Sequence, residues 1–460
     1  MNVIKTILVW ILCYFSVHTI SAQQTYNLNG CVKYALENNH NLKKSQLDQE
    51  KSMEARREIM GSLLPQINGS GNMNYNLKKA NFIMPNFINE MLPANAQDPT
   101  APKYMTIEMG TNYSAALAAS LNQQIINFSL FNALEISKTA EKLADLGIES
   151  IEEDIIAQTA NLYYAIQSTI YAAQQFDESI GLIDKMLQSL EVSYENGLIK
   201  KVDVDRVKIT KVNMMTQQSA ISNAVEVQKN LMKLQMGLDM DYELSIEEID
   251  LSFFENKAEQ TLAYSFERNQ ILPYRLLQEQ HNIGQLQLKS VQYESLPTLS
   301  LGLNYQHNFV SDEFFRGETY YNYPASMVGL NVRVPLFAGL SRSAKLKGTK
   351  LELQKIEEDK SILDQSLTMA YKNAMLKLKD SKATIDAQRE NRTMAEEVYK
   401  ISESNYLQGL ASMSDVLNSN SSLVQSQISY ADALNKYMQA YIELRKANGT
   451  IRVLIDNKQF

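Results

Sequence analysis

Two carboxylates stand at matched places in the sequence: Asp203 lies six residues after Gly197, and Asp415 lies six residues after Gly409. Each glycine is followed by Leu (Leu198, Leu410) and preceded at three residues by Tyr (Tyr194, Tyr406), and each Asp is followed by Val. A carboxylate just beyond a glycine turn caps the free N–H groups of the helix it opens and suits that helix's dipole. The glycines are the residue type that ends helices. Little else is arranged for chemistry. His40, His281 and His307 are scattered, without carboxylate or Cys partners at ligand spacing. No phosphate loop, nucleophile elbow or dinucleotide fingerprint occurs in a strand–turn–helix context. The pattern predicts no catalysis, no metal and no cofactor.

Two matched turns in two long helical arms mark an internal duplication. Residues 1–22 start with Lys5, run apolar from Ile7 to Ile20 and end Ser21-Ala22, the build of a secretory signal peptide. No other segment has the apolar length of a membrane helix. The net charge of -8 and a pI near 5.3 argue against nucleic acid as a partner. Beyond the leader only Cys31 remains, so no internal disulfide is possible. Leu28-Asn29-Gly30 before it raises the question of lipidation, but the polar run Gln23 to Asn27 separates it from the apolar stretch. A plain helical cysteine is the better reading.

The first repeat spans 23–237. Helical spacing over 28–62 stops at Pro65, and Ile67, Gly69, Gly71, Met73, Tyr75 and Leu77 then alternate with polar residues, predicting a strand over 64–78. A loop with Pro85, Pro93, Pro99 and Pro102 follows, then a second strand over 107–126. A helical hairpin over 131–236 has its tip at 194–205. After a linker, 238–261, the second repeat (262–449) has helical spacing from Leu262 to Tyr293, strands over 297–309 and 326–336, and a hairpin over 340–447 with its tip at 406–417. An aromatic loop lies between its strands, and residues 450–460 form a tail.

Each alternating stretch holds about 10 to 14 residues, whereas a tilted membrane strand needs about 9 to 11 and soluble strands average about 5 to 6. Four strands cannot close a barrel, and an open edge in lipid leaves backbone groups unpaired. Either the strands form a soluble amphipathic sheet, or several chains contribute four each; three chains would supply about 12. Residues 131–194 contain no Pro and two Gly, Gly147 and Gly181. They predict a helix roughly 95 Å long. The shorter runs 200–236 and 413–447, each added to the short helix before its repeat's strands, come to about the same length, which suggests short helices stacked end to end beside each long one. Leu417, Asn420, Val424, Gln427, Ala431, Leu434, Met438 and Tyr441 keep a three–four spacing, a seam diluted with polar residues.

Taken together, these features resemble the TolC-like outer membrane efflux proteins. The carriers are Leu28, Cys31 and Ala35-Leu36-Glu-Asn-Asn39 after the signal, and Leu64-Pro65 and Leu296-Pro297 opening the strand pairs. Pro335-Leu-Phe-Ala-Gly339 follows the fourth strand, and the two tips complete the set. The resemblance covers nearly the whole mature chain. It implies a homotrimer whose four strands per chain close a 12-strand transmembrane β-barrel in outer membrane lipid, continuing into a 12-helix periplasmic α-barrel of long coiled-coil hairpins. It implies an exit duct of a tripartite pump in a Gram-negative envelope. The partners would be a periplasmic adaptor and an inner-membrane transporter of RND or ABC type.

The resemblance also assigns roles at the tips. Asp203 and Tyr406 match a pair linking neighbouring hairpins in the closed state, and Asp415 matches an acidic ring that favours cations at the narrow end. Asn418 stands where some members place a second ring Asp, and Ala411 where they place a locking Arg. Gly197, Leu198, Gly409 and Leu410 would form the surface an adaptor grips. The leading expectation is passive passage of drugs or other small molecules. Type I protein secretion or metal efflux through the same duct is the close alternative. A periplasmic coiled-coil adaptor or scaffold would carry one hairpin and lacks two long strand pairs.

Overall fold

The computed structural model describes residues 25–93, 96–247, 266–314 and 320–456. The expected leader lies outside the described residues, as does 248–261 of the linker. The chain divides into two compact units, one made of residues up to Glu50 with 142–280 and 356–460, the other of 51–141 with 281–355.

In order, the elements are β1 (Thr25–Tyr26), α1 (Leu28–Asn38), α2 (His40–Ser62), β2 (Gln66–Tyr75), β3 (Ala80–Pro85), α3 (Phe87–Met91), β4 (Tyr104–Met109) and β5 (Tyr113–Ile126). They continue with α4 (Phe128–Glu195), α5 (Lys201–Met236), β6 (Ser245–Ile246), α6 (Leu272–Tyr293), β7 (Thr298–Ser311) and β8 (Tyr321–Arg333). The chain ends with α7 (Ser341–Leu407), α8 (Met413–Ala447) and α9 (Val453–Asp456). The long helices α4 and α7 have 68 and 67 residues. Among the described residues no helix is long and apolar enough to cross a membrane.

The second-named unit is built on an antiparallel sheet of order β2-β5-β7-β8. Because side chains alternate across a strand, the register sorts them into two faces. Ile67, Leu121, Leu303 and Val328 stand in one row on one face, while Asn68, Ser120, Asn304 and Met327 stand in a row on the other. The apolar face is not covered within the chain: Ile67, Leu117, Leu303, Val328, Leu330 and Val332 are exposed. β2 and β8 are left as edges, which is where the sheet accommodates Pro324.

Several boundaries differ from the alternation pattern. The second strand does not reach back to 107: Gly110 takes a left-handed backbone (φ 102°) and ends a separate strand at Met109. That strand pairs with Ala80–Pro85, so the proline-bearing loop carries its own hairpin and a short helix. The fourth strand starts at Tyr321 and ends at Arg333, not 326–336, so Tyr321 and Tyr323 belong to it rather than to the loop. The first strand is shorter than 64–78, and the third runs on to Ser311. Helical spacing over 28–62 is broken at Asn39, which caps α2 by accepting from Asn41 N–H (2.8 Å). Of the helix expected from Leu262, residues 262–265 lie outside the described residues, and the described helix begins at Leu272.

The other unit packs α4 and α8 as its most buried helices. α8 is buried on the expected seam, through Asn420, Val424, Ala431, Leu434, Met438 and Tyr441. It is also buried along a neighbouring stripe at seven-residue steps, Val416, Leu423, Tyr430, Tyr437 and Leu444. Cys31 is fully buried in α1, and burial pushes its thiol up to about 12. Ile451 and Leu454 of the tail are core residues, and β1 pairs in parallel with β6 of the linker.

Short helices meet end to end at glycines. Gly237 (φ 74°) ends α5 against the carbonyl of Asn38, and Gly449 (φ 72°) follows α8 against Gln270, just before α6. A Cβ at Gly237 would lie 2.6 Å from the Asn38 oxygen, whereas one at Gly197 would meet open space. Gly197→Ala should therefore cost only the left-handed backbone, about 1–2 kcal/mol. Gly237→Ala should lower the denaturant midpoint of the detergent-solubilised protein distinctly further. Equal shifts would contradict the close approach.

Candidate functional site: the hairpin tips

The two tips fold through the same hydrogen bonds because each glycine can take a positive φ, 72° at Gly197 and 73° at Gly409. Gly197 N–H donates to the Tyr194 carbonyl (2.9 Å) and Leu198 N–H to Ser193 (2.9 Å). Gly409 N–H donates to Tyr406 (2.9 Å) and Leu410 N–H to Asn405 (2.8 Å). The crossed pair satisfies the last helical carbonyls and leaves the next residue pointing outward. Leu198 and Leu410 are accordingly 77% and 75% exposed.

The helix starts differ. At α8, Ser412 and Asp415 form a reciprocal capping box: Asp415 N–H donates to Ser412 Oγ (3.3 Å), and Ser412 N–H donates to Asp415 Oδ2 (2.9 Å). The Ser412 hydroxyl also donates to Oδ2 (2.7 Å). Those hydrogen bonds, the hydroxyl's first, hold the exposed Asp415 carboxyl below the ordinary carboxylate range. At α5, Lys200 has no side-chain cap, and Asp203 pairs with Arg206 one turn on (3.8 Å). Arg206 Nη1 donates to Ser414 Oγ (3.1 Å), joining the first hairpin to the second.

Tyr406 is half-buried against the cluster that holds Val204, Val207, Met413 and Val416. Burial raises its phenol pKa, and the nearby Asp203 charge raises it further. The fold thus brings Asp203, Tyr406 and the start of α8 together within one chain. Asp415 and Asn418 are exposed on α8, and Ala411 is half-buried in the turn.

Behind the tips lies a buried polar knot. Ser179 of α4 donates to Asn420 Oδ1 of α8 (3.0 Å), and the Met214 sulfur of α5 lies 3.7 Å from the Ser179 hydroxyl and 3.9 Å from Asn420 Nδ2. Asn420 is legible in sequence as a polar residue in a seam; Ser179 and Met214 are not, since only folding brings their helices to it. Arg206 is likewise invisible without the structure. Among the described residues no group of His, Cys, Asp or Glu could hold a metal ion.

A four-stranded amphipathic sheet and paired helical hairpins that turn at glycine tips are the elements this chain supplies. The family described as outer membrane efflux protein matches residues 31–235 and 278–450, so the chain belongs to that family. It is an outer-membrane efflux channel. Outer membrane protein TolC of Escherichia coli is 22% identical over 451 residues, covering 94% of this chain and 84% of its relative. Among solved structures, VceC of Vibrio cholerae superposes with a TM-score of 0.67 at 15% identity, covering 92% of this chain and 96% of its own. The CmeC channel of Campylobacter jejuni gives 0.69 at 16%, covering 92% and 85%.

The polar knot is testable by a double-mutant cycle. Asn420→Ala leaves the buried Ser179 hydroxyl only the weak Met214 sulfur as an acceptor and should cost about 1–3 kcal/mol. Adding Ser179→Ala should then cost much less than it does in the wild-type background. Strictly additive losses in denaturant unfolding would contradict the coupling.

Proposed function

We propose that three copies of the chain close a 12-strand barrel in the outer membrane and a 12-helix tunnel in the periplasm. The assembly passes drugs or other small molecules outward passively once its tips open. The observation that carries this is the sheet: its apolar face is exposed, and its edge strands β2 and β8 run in opposite directions. Each β8 can therefore pair antiparallel with the β2 of the next copy, leaving no edge in lipid.

The helices support the same assembly. Ile362, Met369 and Leu376, then Met394 and Ile401, recur at seven-residue steps along α7 and stand exposed. A heptad seam without an internal partner is what a neighbouring hairpin would cover. At the tips, three Asp415 carboxylates around the axis attract cations, with Asn418 beside them contributing no charge. Tyr406 and Asp203 act with Arg206 and Ser414 in holding the hairpins together in the closed state. The exposed Leu198 and Leu410, turned out by Gly197 and Gly409, meet the periplasmic adaptor, and an inner-membrane transporter of RND or ABC type supplies the driving force.

Single-channel recording in a lipid bilayer tests the gate. Asp415→Asn should weaken cation selectivity. The wild-type carboxylate, with its lowered pKa, should stay charged until the pH falls below the ordinary Asp range. Ser412→Ala removes the hydroxyl that lowers that pKa, so its selectivity should be lost at a higher pH than in the wild type. Selectivity unchanged by Asp415→Asn would remove that residue from the ring. In cells, loss of the chain should raise drug susceptibility; unchanged susceptibility with loss of an exported protein would favour the secretion duct.

A further inference from the structure

Where β8 hands over to α7, the chain makes an exposed apolar turn followed at once by a run of cations. Leu336, Phe337 and Leu340 are 90%, 82% and 76% exposed. Gly339 and Leu340 both hold left-handed backbone, φ 57° and 65°, and Leu340 is the one non-glycine residue with positive φ among the described residues. A side chain is disfavoured there, so the turn holds strain at an apolar residue that meets no core. Arg333 precedes the turn. Arg342, Lys345, Lys347 and Lys350 follow it, with no carboxylate before Glu352. Lys345 is paired with Glu294, while Arg333, Lys347 and Lys350 are exposed and Arg342 is half-exposed.

The duplication supplies an internal control. The matching junction, Phe128–Glu141, carries Glu135, Lys138 and Glu141, against four cations and no carboxylate in Phe337–Lys350. Its charges are paired, Lys138 with Glu135 (2.7 Å) and Glu141 with Arg56 (2.7 Å), and its Phe128 ring rests 6.0 Å from that of Tyr293. One repeat has a junction whose charges are paired and whose aromatic ring stands beside Tyr293; the other has an uncovered ring and exposed cations of which only Lys345 is paired. In a chain of net charge -8 this is a local reversal of sign. A second copy would bring the same cations, and at its matching junction only carboxylates already paired.

We propose that the β8–α7 junction binds anionic phospholipid of the periplasmic leaflet, an inference that rests on the sheet lying in the outer membrane. Leu336, Phe337 and Leu340 enter the acyl boundary, as apolar and aromatic side chains do at membrane interfaces. Arg342, Lys347 and Lys350 reach the headgroup phosphates, their stems lying along the apolar turn. The second junction thereby anchors each copy at a fixed depth, while the first has no headgroup preference.

A fluorescent reporter tests this, because Trp10 is the chain's only tryptophan. The full chain carrying Trp10→Phe and Phe337→Trp would be reconstituted into vesicles of phosphatidylcholine and phosphatidylglycerol, with bromine on the acyl chains of one lipid or the other at equal mole fraction. Brominated phosphatidylglycerol should quench more strongly by about twofold or more, given the attraction of each cation for an anionic surface. Adding Arg342→Gln, Lys347→Gln and Lys350→Gln should abolish the difference while quenching by the zwitterionic lipid persists. Equal quenching by both lipids would overturn the anionic preference and leave the membrane reading standing. A preference that survives the triple substitution would also overturn it. Emission quenched by neither lipid would show that water or a neighbouring copy covers position 337, and would sink the proposal.

Discussion

Backbone N–H and C=O groups find no water in hydrocarbon, so a sheet in a membrane must have no open edge. The proposed assembly meets that constraint although each chain has only four long strands, β2, β5, β7 and β8, in its main sheet. The apolar row through Ile67, Leu121, Leu303 and Val328 suits lipid, yet β2 and β8 each present an unpaired side. The opposite directions of these two edges make copies of the chain complementary to one another.

The helical unit obeys a related rule. A helix of 68 residues cannot be stabilised by propensity alone and needs partners along its length. The chain supplies some of them from within, by setting short helices end to end at Gly237 and Gly449 and by burying α8 on two stripes. The remaining seam on α7 is left apolar and uncovered. At the tips the same economy holds: Gly197 and Gly409 end the helices with identical hydrogen bonds, and what differs is the capping chemistry. Asp415 is held by Ser412, whereas Asp203 turns to Arg206 and through it to the second hairpin.

Much of this was legible in the residues. Strict alternation from Ile67 to Tyr75 and from Leu299 to Tyr305 locates strands because a half-exposed strand must sort its side chains by face. The proline-free runs locate the long helices, and the paired glycines locate the turns. What failed to show in sequence is what depends on distant partners. The β3–β4 hairpin sits in a stretch whose prolines read as loop, and its pairing is across a long connection. Ile451 and Leu454 look like tail residues until the core they complete is assembled. The second stripe of α8 escaped because a helix packed on two sides has no single period. Asp203, Tyr406 and Asp415 could be named from sequence and resemblance, but the Arg206–Ser414 link between hairpins needed the fold.

The account stands or falls on the closing of the sheet by copies of the chain. The most direct measurement is the mass of the protein in detergent, by light scattering corrected for the bound micelle. It should be three times the mass of one purified chain, at concentrations well below those that force association. A monodisperse monomer that remains folded would contradict the account, because four strands alone cannot close a barrel.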